Sequence, residues 1–193
     1  DYKGVKFKEP NLIFSSLNGG KRSFEPHPMK GLVNYNPFET GVNHFLNKEI
    51  KLSVLCVDEY SNQLFYFLNK LNTKILINNP KENYVINYEG FEDTYKVKLK
   101  IPDFESENWI RINTINLQND SRSISNSIKE NICSEILKIS ALSSQKIIVI
   151  FIPNKWLPYT SYSTDVESFD LHDYIKAFCA EKGLTSQFIT EKT

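Results

Sequence analysis

Lys146-Ile147-Ile148-Val149-Ile150-Phe151-Ile152-Pro153 is the longest clean apolar run in the chain, β-branched at every central position except Phe151. Successive strand side chains point to opposite faces of a sheet, so a strand apolar at every position needs cover on both sides. That is the pattern of a central parallel strand between two helical layers. The run falls well short of the roughly 18 apolar residues that suggest a membrane-spanning helix, and no other stretch reaches that length, so no membrane span is expected.

The flanking sequence fits this assignment. Upstream, Ile124, Ile128, Ile132, Ile136 and Ile139 recur three or four apart, predicting an amphipathic helix over 121–142 with Ser121 or Ser123 as N-cap. Downstream, a polar and aromatic loop over 154–168 leads to a second helix over 169–182. Its apolar stripe is Leu171, Tyr174, Ile175, Phe178 and Cys179, and Gly183 serves as its C-cap. A short strand then begins near Ser186.

Further out, residues 50–57 read as a mostly apolar strand, and Leu64, Phe65, Leu68 and Leu71 place a helix over 60–71. Residues 84–88 and 95–101 read as extended segments either side of the turn-like Glu89-Gly90. Strand and helix alternate from residue 49 onward. This predicts an α/β fold: a Rossmann-like open sheet of mostly parallel strands flanked by helices, with right-handed crossovers. Residues 1–45 concentrate glycine and proline around short extended pieces such as Asn11-Leu12-Ile13-Phe14, and they read as a β-strand and turn extension rather than helix. The expected division is therefore 1–45 and 46–193.

Composition narrows the function classes. With 40% hydrophobic and 24% charged residues the 193-residue chain matches ordinary globular proteins. Twenty-three basic residues balance twenty-three acidic ones, which argues against non-specific nucleic-acid binding through bulk charge and leaves room only for a local phosphate pocket. Cys56, Cys133 and Cys179 are odd in number and set in apolar contexts, so a reducing compartment, the cytoplasm, is expected.

In open parallel sheets ligands sit beyond the carboxyl ends of the strands, where a loop meets the next helix. The loop 154–168 occupies that position. Its Lys155, Trp156 and Tyr159 could contact a nucleotide; alternatively, Trp156 and the tyrosines pack the loop onto the sheet. Asp165 and Glu167 suit an N-cap or first-turn role ahead of the helix. On that helix His172 and Lys176 lie four apart and share a face outside the apolar stripe, while Gln187 follows Gly183 on the next strand. Lysine offers a point charge to phosphate and glutamine an uncharged donor. By spacing alone, the same residues also fit a solvated surface.

The segment Phe169-Asp170-Leu171-His172-Asp173-Tyr174-Ile175-Lys176-Ala177, continuing through Gly183-Leu184-Thr185-Ser186-Gln187-Phe188, resembles the signature of the MID domain of Argonaute proteins. Glu9-Pro10-Asn11-Leu12-Ile13-Phe14 and His27-Pro28-Met29-Lys30-Gly31-Leu32-Val33-Asn34-Tyr35-Asn36-Pro37-Phe38 are similar to the opening of short prokaryotic Argonautes. The resemblance implies that Lys176 and Gln187 bind the 5′-terminal phosphate of a short guide, RNA or DNA. His172 would lie beside the first nucleotide, where the family more often has tyrosine. It also implies a non-catalytic guide-binding module acting on complementary target DNA in prokaryotic antiviral defence. Magnesium bridging the guide phosphates is implied with it. So are a PIWI domain and a partner carrying an APAZ domain with a TIR, sirtuin-like or nuclease effector. The family's second pocket lysine falls beyond these 193 residues, and Lys192 is too near Gln187 to take that role.

A different class stays open: a small α/β enzyme on a phosphorylated metabolite or nucleotide, with His172 as acid or base and Lys176 as phosphate clamp. The chain contains no GxGxxG, GxxxxGK[ST] or GxSxG sequence and no metal-ligand cluster by spacing, so that class lacks its usual signatures. His27 and His44 are expected to be structural.

Overall fold

The structure is a computed structural model that describes residues 10–14, 22–35, 49–77, 85–118, 120–142 and 146–191. Glu9, residues 36–38, His44 and Lys192 lie outside this set. The chain resolves into two compact units, Asp1–Glu49 with Lys70–Leu99 and Ile50–Asn69 with Lys100–Thr193.

In the first unit, β1 (Leu12–Phe14) and β2 (Ser23–Glu25) form an antiparallel hairpin with Ile13 opposite Phe24. Helix α1 (Pro28–Tyr35) follows, where the sequence reading has turn. Pro28 opens it, because its fixed φ suits the first helical position and its missing N–H would be unpaired there anyway. The Phe14 ring covers Gly31 so closely that a Cβ at 31 would fall on the ring. Helix formation here therefore depends on tertiary contact with β1, which glycine and proline content conceals. In the same unit, α1 packs against a short helix whose first residue follows Gly90. Gly90 has φ 93, a conformation that favours glycine, and its carbonyl accepts the Thr94 N–H at 3.0 Å. The extended reading of 84–88 reduces, among the described residues, to one antiparallel bridge between Ile75 and Tyr88.

The second unit is the parallel α/β layer. Its elements in chain order are β3 (Glu49–Val57), α2 (Ser61–Lys70), β5 (Trp109–Ile112), α4 (Ser121–Leu142), β6 (Ile147–Ile152), β7 (Ser161–Ser163), β8 (Ser168–Asp170), α5 (Leu171–Glu181) and β9 (Thr185–Thr190). Strand β4 (Lys98–Lys100) lies within the extended segment read at 95–101, and helix α3 (Phe91–Tyr95) occupies the stretch before it, to which the sequence reading assigns no element. Strands β5, β3, β6 and β9 lie side by side, each pair parallel. β5, which sequence reasoning missed, is only Trp109-Ile110-Arg111-Ile112, too short to show a period.

Register and alternation assign every side chain to a face. Leu55, Val57, Ile148, Ile150 and Ile152 point to one side, into a core with Ile124, Ile128, Ile132, Ile136 and Ile139 of α4 and Leu171, Ile175 and Cys179 of α5. The other side carries Val54, Cys56, Trp109, Val149 and Phe151, where α2 packs. There the Ser61 hydroxyl at the start of α2 accepts the Trp109 indole N–H at 3.3 Å and lies 3.0 Å from the Cys56 thiol. Phe65 of α2 meets Trp109 edge-on at 5.4 Å. Both faces of β3 and β6 are thus covered, as the apolar run requires.

The cap of α4 is Asp120, not Ser121 or Ser123. Its carboxylate accepts the Arg122 and Ser123 N–H groups, each at 3.1 Å, and the Ser123 hydroxyl at 2.6 Å. Aspartate wins because it is the residue just outside the helix, and its charge also complements the helix dipole. The Ser123 hydroxyl, followed by the Ser123 N–H, holds its carboxyl below the ordinary range. A carboxylate with a lowered native pKa contributes stability above its unfolded pKa and loses it as pH falls through the native value.

Two outcomes follow from this layer. Ile132→Ala, at the fully buried centre of α4, is expected to lower unfolding free energy by about 2–5 kcal/mol in urea titration. Asp120→Ala is expected to lower the thermal midpoint at pH 7 and to cost progressively less as acid protonates Asp120 in the parent; an unchanged gap at low pH would contradict the cap.

Candidate functional site

The end of β6 turns through a 3₁₀ segment, Asn154–Tyr159, into the β7–β8 hairpin and then α5. Most of the expected loop is therefore ordered structure. Trp156 is fully buried and belongs to the core beneath α4 and α5, so it packs the turn and presents no ring to a nucleotide. Tyr159 is half-buried against the same core, and its carbonyl accepts the Ser125 hydroxyl of α4 at 2.7 Å. Lys155 points out of the core, forms an ion pair with Glu59 and lies 5.7 Å from the Tyr60 ring centroid. The Glu191 carboxylate accepts the Asn154 N–H at 2.6 Å. At the carboxyl ends of β3, β6 and β9 the available cation and amide are thus matched by carboxylates of the chain itself. Burial, then Glu191 and Glu59, pushes the Tyr60 hydroxyl up, which keeps it protonated at neutral pH.

Hairpin β7–β8 explains Glu167. It caps no helix; it accepts the Tyr162 hydroxyl at 2.5 Å and pairs with Arg122 of α4 at 2.6 Å. The Tyr162 hydrogen bond, then Arg122, holds its carboxyl below the usual range. Asp170 caps α5, accepting the Asp173 N–H at 3.0 Å, and Gly183 with φ 70 ends it. Asp165 is exposed at the hairpin tip.

His172 and Lys176 lie on α5 as the spacing predicts, both exposed. Leu171, Ile175 and Cys179 face the core, and 100° per residue puts 172 and 176 on the flank of α5 that faces β9. The His172 ring rests 5.0 Å from the Phe188 ring, and its Nδ1 lies 3.0 Å from Asp173 Oδ1. Two contacts therefore orient the imidazole. Lys176 has no hydrogen bond or ion pair among the described residues. Gln187 is separated from this pair: Ser186 and Phe188 point toward α5, so alternation turns Gln187 to the opposite side of β9, in register with Val149. It is exposed there and donates to the Phe188 carbonyl at 3.1 Å. The sequence shows both periods, but only the strand register reveals that they put Lys176 and Gln187 on different faces.

The magnesium implied by resemblance takes oxygen ligands in a near-octahedral shell. Asp170, His172 and Asp173 bring one ligand atom each within 4.8 Å of one another, all exposed. One Asp170 oxygen caps α5 and one Asp173 oxygen holds the imidazole, so the cluster is explained by helix capping and gives no reason to route a step through a metal. None of the three cysteines is in a disulfide, and burial pushes each thiol up, which keeps it protonated at neutral pH.

No protein-family model matches this chain, and no curated protein matches it.

Because both tryptophans are buried, their emission is expected to be blue-shifted, poorly quenched by iodide and unchanged by oligonucleotides. Strong iodide quenching, or quenching by nucleotide, would contradict the core placement of Trp156.

Proposed function

We propose that this chain is a non-catalytic module that anchors the phosphorylated 5′ end of a short guide nucleic acid, most simply RNA, on the β9-facing flank of α5. The observation that carries the proposal is Lys176: an exposed ammonium without a partner among the described residues, one turn from an imidazole that Phe188 and Asp173 hold in place. A lysine in that state can give its full charge to a phosphate, because no carboxylate has to be displaced first. His172 beside it offers a flat ring to the first base and an N–H to a phosphate or sugar oxygen. The similarity of 169–188 to the Argonaute MID signature implies these two residues together with Gln187, of which the proposal keeps the two that share the α5 flank.

Electrostatics favours α5 over the ends of the strands. A phosphate approaching Lys155 must compete with Glu59 and would meet Glu191 nearby, whereas Lys176 pairs with no carboxylate among the described residues and the exposed Asp170 and Asp173 lie on the His172 side of the pair. Binding there is charge-assisted hydrogen bonding and stacking, with no bond made or broken. The proposal carries with it a role in prokaryotic defence against invading DNA, in which a PIWI domain holds the rest of the guide and an APAZ-bearing effector supplies the chemistry.

In anisotropy titrations a 5′-phosphorylated RNA is expected to bind more tightly than its 5′-hydroxyl twin. Lys176→Ala should remove that preference, at a cost of about 1.5–3 kcal/mol for a charge-assisted bond. Gln187→Ala, on the other face of β9, should leave it intact. Equal affinity for the two RNAs, or turnover of a phosphorylated metabolite lost in His172→Ala, would overturn the assignment.

A further inference from the structure

The opposite flank of α5 carries a feature that the phosphate reading does not use. Four rings form a continuous row across β7, β8 and α5. Tyr162 and Phe169 have centroids 5.4 Å apart, Phe169 and Tyr174 6.0 Å, and Tyr174 and Phe178 6.5 Å with their planes only 9° from parallel. Positions 174 and 178 lie on one side of the buried stripe and 172 and 176 on the other, so the row and the His172–Lys176 pair are separate surfaces. Tyr174 is 43% exposed, which core packing does not require of so large a ring.

Cations accompany the row along its length. Lys129 of α4 stands 5.9 Å from the Phe169 centroid and 5.6 Å from that of Tyr174. Lys182 stands 5.4 Å from the Phe178 centroid, and Arg122 reaches the Tyr162 end through Glu167. Arg122 and Lys182 each pair with a carboxylate, Glu167 and Glu181. Among the described residues Lys129 instead donates to the Asn126 side-chain oxygen, at 3.1 Å, and pairs with no carboxylate.

We propose that this row is a stacking platform for the bases of single-stranded nucleic acid, with Lys129 as its phosphate contact. Tyr174 is the exposed member of the row, with Tyr162, Phe169 and Phe178 half-buried, and an exposed ring takes up flat, aromatic ligands with little sequence preference because every base has a π-face. Lysine ammonium groups beside the rings complement the phosphates that link those bases. A duplex keeps its bases stacked inside and cannot use the rings. Zero net charge of the whole chain means that the local cations, not bulk attraction, set the salt dependence. With Lys129 the one cation of the row that pairs with no carboxylate among the described residues, the expected slope is shallow, about −0.7 in log affinity against log salt for each phosphate neutralised on a single strand.

The test is independent of the 5′-phosphate reading, because its probe is an oligothymidylate with a 5′-hydroxyl, labelled at its 3′ end. The intact chain is expected to bind it and a duplex of equal length is expected not to compete. Tyr174→Ala should weaken binding roughly 5- to 150-fold, the effect of losing one stacked base, while Tyr174→Phe retains it. Lys129→Gln should weaken binding and flatten the salt slope by about 0.7. Lys176→Ala should have no effect on this probe. Circular dichroism of each variant confirms that it is folded. Absence of binding by the parent, equal binding by Tyr174→Ala, or occupation of the row by a proline-rich peptide in place of the oligonucleotide would each overturn the proposal.

Discussion

Everything in the α/β unit depends on β6 being buried from both sides. Its apolar residues can leave water only if β3 and β9 pair along its edges and helical layers cover both faces of the sheet's centre. Once that is satisfied, alternation decides which side chain meets which layer, with no freedom left to the individual residues. Ile148, Ile150 and Ile152 take the α4–α5 side, while Val149 and Phe151 take the α2 side. A shift of one residue in β6 would exchange the two sets.

The same rule sorts the polar residues. Because β9 follows the register of β6, Phe188 supports His172 on one side and Gln187 is left on the other. Lys176 and Tyr174 belong to the same helix yet serve different surfaces, since the buried stripe runs between them. At the strand ends Lys155 pairs with Glu59 and the Asn154 N–H with Glu191, so carboxylates of the chain itself engage the cation and amide of β6's carboxyl-end turn, at the usual ligand position of an open parallel sheet.

Long periodic elements were legible in the sequence: β6, α4, α5, α2 and β3 all lie within a residue or two of where spacing puts them. Burial of a continuous face repeats often enough in such elements to be read. What escaped was short or dependent on distant contacts. β5 has too few residues to show a period, α1 depends on Phe14 over Gly31, and the Asp120 cap competes with two serines of equal local merit. Of the site, the placement of His172 and Lys176 on one flank was readable from a four-residue spacing. The burial of Trp156 was one of the two readings that the sequence left open, and the structure decides for it; the aromatic row, which joins a hairpin to a helix, was not readable.

The proposal that α5 offers a terminal phosphate an oriented imidazole and a lysine without a partner among the described residues is tested most directly by amide chemical-shift mapping with a 5′-phosphorylated RNA against its 5′-hydroxyl twin. Phosphate-dependent shifts are expected to cluster on α5 from His172 to Lys176 and on the adjoining Phe188. Phosphate-dependent shifts centred instead on Asn154, Lys155 and Glu191, or on the Gln187 side of β9 alone, would contradict the account.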